Sequence, residues 1–290
     1  MHTLAELDES RTNELLKGTF IPSSPKVLTE LMEELRSPMT NGKKLAALIN
    51  KDAGLAAGVL KSVNSPVFGT SRKIDSLPDA INLLGFKTLS NLVLQTLLRT
   101  TIRCHDSSLE RFWDNSAYTA AVSGKLASVI KGTSADTAYT FGLLHDCGIP
   151  LLVQRFSNYK QVLGQANAAT DRCFTDVEEE LLDTNHAIVG CILARSWGLP
   201  DEVSAGILCH HEYAALDGGT HLAESSRALI AINVIAEHVA GIHLRLKEDA
   251  EWSKARDHVS HFSGLSLTEL DDLIDDMVFR LDSDKNRATA

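Results

Sequence analysis

The sequence predicts an all-α protein, and three observations carry that reading. Apolar residues recur at three- and four-residue spacing through most of the chain. Ser, Asp and Pro stand before these periodic stretches and Gly or Pro after them, as at helix starts and stops. No β-branched segment alternates with the two-residue period of a strand, and no internal repeat or low-complexity linker interrupts the pattern.

Taken in order, Leu4, Leu7, Leu15 and Leu16 mark a first helix stopped at Gly18. Ser24 caps a second with Pro25 at its first position, where the missing N–H costs nothing. Val27, Leu28, Leu31, Met32 and Leu35 form its apolar face, and Ser37-Pro38 ends it. Leu45, Leu48 and Ile49 make a short third helix. Asp52 N-caps a fourth, which carries Leu55, Val59, Leu60 and Val63. In Asn64-Ser65-Pro66-Val67-Phe68-Gly69, the Asn and Ser side chains suit local backbone bonding and Pro fixes φ, so this is a built turn. Ser76 caps Leu77–Leu84, Gly85 interrupts, and Phe86–Arg103 follows. The broad apolar face of Leu89, Leu92, Val93, Leu94, Leu97 and Leu98 predicts that this longer helix is central and buried.

The short polar stretch Cys104–Ser108 is read as a junction, giving a helical bundle over 1–107 and a second over 108–290. A helix from about Leu109 to Ile130 follows, in which Ala117, Ala120, Ala121, Gly124 and Ala127 permit close approach of a neighbour. Ser134 or Thr133 caps the helix that delivers His145-Asp146. Thr175-Asp176-Val177-Glu178 reads as a capping box, with Glu178–Glu180 as acidic residues suited to a helix start. The next helix carries His186, Val189, Ile192 and Leu193 and ends at Trp197-Gly198-Leu199-Pro200. One after Pro200 carries His210-His211-Glu212, Ser226–Ile242 is another, and Ser266 with Glu269 starts the last.

Composition narrows the function. A formal charge of −10 over 290 residues argues against a general nucleic-acid binder, which needs a basic footprint. Five cysteines without a Cys-x-x-Cys fit reduced thiols, not a disulfide framework or a zinc knuckle. No apolar run approaches the roughly 18 residues of a membrane span, and the start lacks the basic and apolar regions of a signal peptide, so the expected location is the cytoplasm with no membrane partner.

The residues with chemistry are His145, Asp146, His186, His210 and His211, on three separate predicted helices. Imidazole and carboxylate side by side suit a divalent metal, and helical bundles build such sites from inward-facing side chains of different helices. The competing reading keeps each histidine as a hydrogen-bonded core residue.

The order of motifs resembles the HD metal-dependent phosphohydrolase superfamily, and more closely its HDOD branch of HD-related output domains. The matching pieces are Ile21-Pro22-Ser23-Ser24-Pro25, Val63-Asn64-Ser65-Pro66, Asp79-Ala80-Ile81-Asn82-Leu83-Leu84-Gly85, Phe112-Trp113, Gly142-Leu143-Leu144-His145-Asp146, Trp197-Gly198-Leu199-Pro200 and His210-His211-Glu212. The resemblance implies two packed helical bundles, the C-terminal one HD-like, and a metal-ligand set of His145, Asp146, His186, His210, His211 and Glu237. It also exposes departures. The first histidine of the superfamily falls at Asn115, the lysine of the active His-Asp-Ile-Gly-Lys pattern at Ile149, and the final aspartate at Glu237. The Gly-Tyr-Pro signature of cyclic-di-GMP phosphodiesterases is absent where Asp217-Gly218-Gly219-Thr220 stands.

An amide oxygen is a weaker ligand than imidazole, and isoleucine supplies no cation for a phosphoryl oxygen. The resemblance therefore implies a bacterial signal-transduction output protein with a degenerate site, acting by binding a signalling protein or a nucleotide-like ligand. Its metal, one of Fe, Mn, Zn or Mg, is expected to be held weakly or in part. The alternative is a metal-dependent phosphohydrolase acting on a nucleotide or cyclic dinucleotide.

Overall fold

Side chains that repeat every three or four residues bury best on helices, and the computed structural model contains only helices and turns among its described residues, 9–36, 41–68, 70, 72–102, 108–218, 221–246 and 250–289. In order they are α1 (Glu9–Leu16), α2 (Lys26–Arg36), α3 (Gly42–Ile49), α4 (Ala53–Val63), α5 (Leu77–Thr101), α6 (Ser108–Leu126), α7 (Ala135–Leu144) and α8 (Ile149–Arg155). Then come α9 (Tyr159–Ala168), α10 (Phe174–Leu182), α11 (His186–Ser196), α12 (Asp201–Cys209), α13 (Glu224–His243), α14 (Ala250–Ser263) and α15 (Leu267–Thr289). None is long and apolar enough to cross a membrane.

The helices group into two compact units. One takes Pro22–Arg103 with Phe279–Ala290, and the other takes the described parts of Met1–Ile21 with Cys104–Val278. Residues 9–21 therefore group with the later helices, where a boundary at 107 would place them with the earlier ones. The reason is local: α1 packs on α11, and Arg155 Nε donates to the Lys17 carbonyl at 3.0 Å.

In the unit built on Pro22–Arg103, Leu28 and Leu31 of α2, Leu45 and Ile49 of α3, and Val59 and Val63 of α4 are buried with Leu89, Leu92 and Val93 of α5. Asn41 and Asp52 cap α3 and α4 through their side-chain oxygens, as short polar side chains do for otherwise unpaired helical N–H groups. Gly85 breaks α5 with φ 80° and ψ 166°, a backbone state that glycine reaches without a Cβ penalty, so the expected interruption is a kink within one element.

The larger unit is centred on α6, α7 and α13, which pack on one another. Leu126, Phe141, Leu143, Leu229, Ile232 and Ile235 are buried there. The sequence reading missed α8, α9 and α14. Pro150 at the start of α8 resembles a stop signal, and α9 and α14 each bury only three side chains. Three details differ from expectation. Helix α6 ends at Leu126 instead of Ile130, and α12 ends at Cys209, so His210 and His211 form the turn after it. The box expected at Thr175 lies two residues earlier, where the Cys173 N–H donates to Asp176 Oδ2 at 3.2 Å. At α15 the expected box is present: the Ser266 N–H donates to Glu269 Oε2 at 2.8 Å and the Glu269 N–H to Ser266 Oγ at 3.3 Å. Leu4, Leu7, the Leu35 side chain, Ser37-Pro38, Gly69, Arg103, the junction residues 104–107, and Gly219-Thr220 lie outside the described residues.

Asn64 closes its turn with three hydrogen bonds. Its Nδ2 donates to the Leu60 and Ile74 carbonyls at 2.7 and 2.6 Å, and its Oδ1 accepts from the Ile74 N–H at 2.7 Å. Net contributions of about 1 kcal/mol per bond lead us to expect that Asn64→Ala lowers stability by ~3 kcal/mol, read as a fall in the denaturation midpoint. An unchanged midpoint would show that the turn is only a tether.

Candidate metal centre

Three helix ends and one helix face assemble the site. Helix α7, capped by Ser134 accepting from the Thr137 N–H at 3.1 Å, ends at Leu144 and places His145 and Asp146 on the turn before α8. Asn185 caps α11 by accepting from the Ile188 N–H at 2.8 Å, which puts His186 at the first helical position. His210 caps the end of α12, His211 follows it, and Glu237 projects from α13. Gly148 allows α11 to come this close: a Cβ there would lie 2.0 Å from the His186 carbonyl oxygen.

Each histidine ring is held from behind. Nδ1 of His145 lies 3.0 Å from the Gly142 carbonyl, and that of His210 lies 2.7 Å from the Ile207 carbonyl. Nδ1 of His186 lies 2.6 Å from Glu178 Oε2, and that of His211 lies 2.9 Å from Glu251 Oε2. Carbonyls and ionised carboxylates only accept, so Nδ1 carries the hydrogen in all four rings and Nε2 is the free face. Outer acceptors of this kind set the tautomer and orientation of metal-binding histidines.

The Nε2 atoms converge on Asp146. Oδ1 lies 3.2 Å from His186 Nε2 and 3.4 Å from His210 Nε2, and Oδ2 lies 3.2 Å from His145 Nε2. His186 Nε2 is also 3.1 Å from His210 Nε2 and 3.2 Å from His211 Nε2. Two ligand groups result, with Asp146 in both: Asp146, His186, His210 and His211, and His145, Asp146 and Glu237. Within each group the ligand atoms lie within 4.8 Å of one another.

A model of the HDOD domain matches residues 21–213. The chain belongs to the HDOD domain family. Its fold is similar to that of a candidate phosphohydrolase from Shewanella amazonensis SB2B, at 23% identity over 99% of each chain with a TM-score of 0.69. It is also similar to an HDOD domain protein of unknown function from Geobacter sulfurreducens, at 23% identity over 95% of this chain and 97% of the other with a TM-score of 0.68. An uncharacterised protein of Treponema pallidum (strain Nichols) is 27% identical over 196 residues, and the chain spans 37% of that relative's length.

Lone pairs of three imidazoles and a carboxylate facing one another at these distances repel unless positive charge lies among them. In this HDOD domain either a metal ion or a proton meets that need. Burial by itself disfavours the charged form of His186, but the Glu178 carboxylate and Asp146 outweigh it and raise its pKa to about 10. Burial and the neighbouring His211 push His210 down to about 3. His145 is held well above the usual imidazole range because Asp146 and Glu237 overcome its burial. Burial pushes the Asp146 carboxyl up, yet His145 and the bonds from three imidazoles hold it well below the usual carboxylate range.

The donor set of three nitrogens and a carboxylate fits a transition ion such as Zn, Mn or Fe. It does not fit Mg, which favours oxygen ligands and retained water. Asp146, His186, His210 and His211 would hold the ion, which when bound supplies Lewis acidity.

The other expected positions differ. Glu237 accommodates its extra methylene: Oε1 lies 3.0 Å from His145 Nε2 and Oε2 accepts from Asn233 Nδ2 at 3.0 Å. Asn115, on α6, has a buried Oδ1 with no hydrogen-bond partner among the described residues. Ile149 is a buried apolar residue that opens α8.

Sequence reading missed the residues behind the ligands. Glu178 is fully buried; besides His186 Nδ1–H it accepts the His186 backbone N–H at 3.1 Å and the Tyr159 hydroxyl. Within the run Glu178–Glu180 it looks like an ordinary helix-start charge, and its only signal is an apolar neighbour on each side of the helical repeat, Phe174 and Leu182.

The raised His186 pKa has a sign that can be checked. A metal ion must displace the proton from its Nε2, so affinity falls as pH falls. With a pKa of about 10, the logarithm of the affinity should rise by about one unit per pH unit between roughly pH 6.5 and 8.5, measured by competition with a chromophoric chelator. A plateau above about pH 7, as ordinary imidazoles would give, contradicts the assignment.

Proposed function

We propose that this HDOD domain is a bacterial signalling output module that holds one transition-metal ion and binds a regulatory partner, without phosphodiester hydrolysis. The observation that carries the reading is the inequality of the two ligand groups. Asp146, His186, His210 and His211 form a four-donor set in which every imidazole has an outer acceptor. The other group has His145, the shared Asp146 and Glu237. The residue that the family resemblance aligns with its missing imidazole, Asn115, offers a neutral amide oxygen.

Hydrolysis of a phosphodiester generates charge on the attacking, leaving and non-bridging oxygens, and paired ions or a nearby cation stabilise it. Ile149, where the active pattern has lysine, is apolar and buried. The chain thus retains residues suited to holding an ion, while the position where the active pattern carries its cation is apolar. The ligand replacements at Asn115 and Glu237 fall outside the three-histidine group, which supports firm retention of one ion in place of weak, partial binding.

A second reading, a phosphohydrolase acting on a nucleotide or cyclic dinucleotide, is favoured by the intact three-histidine group alone. One experiment separates the two. Purified full chain is dialysed against a mild chelator and assayed for metal, then given cyclic dinucleotides and a simple phosphodiester with Mn, Fe or Zn. The expected result is one ion per chain and no product above blank. Turnover that disappears in His186→Ala would overthrow the non-hydrolytic reading, and loss of all metal would overthrow the single-ion centre.

A further inference from the structure

We propose that Glu251 is a positioning residue for the metal centre, and that through it metal retention and the docking of α14 are linked. This rests on the single-ion reading above. Glu251 lies beyond residues 21–213 matched by the family model and bonds a ligand, His211, from behind. Its Oε2 accepts from His211 Nδ1–H at 2.9 Å and from the Tyr213 hydroxyl at 2.6 Å, while Oε1 accepts from Lys254 Nζ at 2.6 Å. Two further donors therefore fix the carboxylate in the orientation that meets the ring.

The rest of α14 is anchored to the same surroundings. Lys254 also donates to the Arg172 carbonyl at 2.8 Å, next to Cys173, which caps α10. Helix α10 carries Glu178, which holds His186, and Phe174, whose ring stacks on His211 at 4.9 Å and 8°. Trp252 stacks on His238 at 4.8 Å and 16°, and His258 Nδ1–H donates to Asp217 Oδ2 at 2.8 Å. Ala255 and Val259 are buried.

A carboxylate behind an imidazole raises the basicity of the opposite nitrogen, and coordination of that nitrogen makes the Nδ1–H a stronger donor in return. The two effects are one free energy seen from two sides. Glu251 tightens the grip of His211 on the ion, and the coordinated ring tightens the grip of the bundle on α14. An ordinary ion pair that only glued α14 in place would leave the ligand properties of His211 unchanged.

The test uses the full chain and Co2+ as the probe. Glu251→Gln should weaken Co2+ binding about 10–100-fold and shift the visible absorption of the bound ion. Amide exchange over residues 250–263 should slow on adding Co2+ to the wild type and change little in Glu251→Gln. Lys254→Met, which keeps the carboxylate but frees one oxygen, should give a smaller loss of the same kind, and it decides the matter if Glu251→Gln fails to fold. A wild type that binds no Co2+ removes the single-ion reading and this inference together. Wild-type binding of one ion, with unchanged affinity and absorption in the folded variant, overturns the linkage and leaves the single-ion centre standing.

Discussion

The buried contact between Glu178 and His186 is the constraint on which the site depends. A carboxylate with no solvent contact costs several kcal/mol unless donors surround it, and here the Tyr159 hydroxyl, the His186 backbone N–H and the His186 ring provide three. That satisfaction has a chemical consequence. It commits Nδ1 of His186 as a donor and turns Nε2 toward Asp146, and the same logic repeats at His145, His210 and His211 with other acceptors. Four rings buried in a helical core thereby present their Nε2 atoms in fixed directions, because each ring is held at Nδ1.

Concentrating those rings creates an electrostatic problem that the helices cannot solve alone. With His186 Nε2 at 3.1 and 3.2 Å from the Nε2 atoms of His210 and His211 and 3.2 Å from Asp146 Oδ1, the centre needs positive charge. Protonation of His186 would supply it, and a transition ion bound there would have to displace that proton from the same nitrogen. A structural histidine cluster would more simply turn donors toward acceptors. Here three Nε2 atoms face one another and Asp146, an arrangement that a proton on His186 or a bound cation would each satisfy.

The backbone that permits this is unusually close at one point. At Gly148 the turn carrying His145 and Asp146 meets the start of α11, and any side chain there would collide with the His186 carbonyl. Asp146 belongs to both ligand groups because of that approach, yet the groups differ in quality. One is three imidazoles with fixed tautomers, and the other leans on a glutamate whose reach is set by Asn233. In this HDOD domain a single short turn therefore feeds two side-chain groups of unequal donor quality.

Much of this was legible in the sequence, and the limit is physical. Helical periodicity reports which face of a segment is apolar, so the all-α class, the capped starts of α4, α5 and α15, and the interruption at Gly85 followed from local residues. The motif order also named six candidate ligand residues, His145, Asp146, His186, His210, His211 and Glu237, which the structure brings together in two groups that share Asp146. Helices α9 and α14 were hidden because each buries only three side chains and has little apolar stripe to detect. Glu178 and Glu251 were hidden for a related reason: an acidic residue in a charged helix has the same local signature whether it faces water or a histidine. Only the tertiary structure decided that, because burial and hydrogen-bond partners belong to the packing of distant segments. It likewise decided which ring nitrogen is free, since the tautomer is set by an acceptor from elsewhere in the fold.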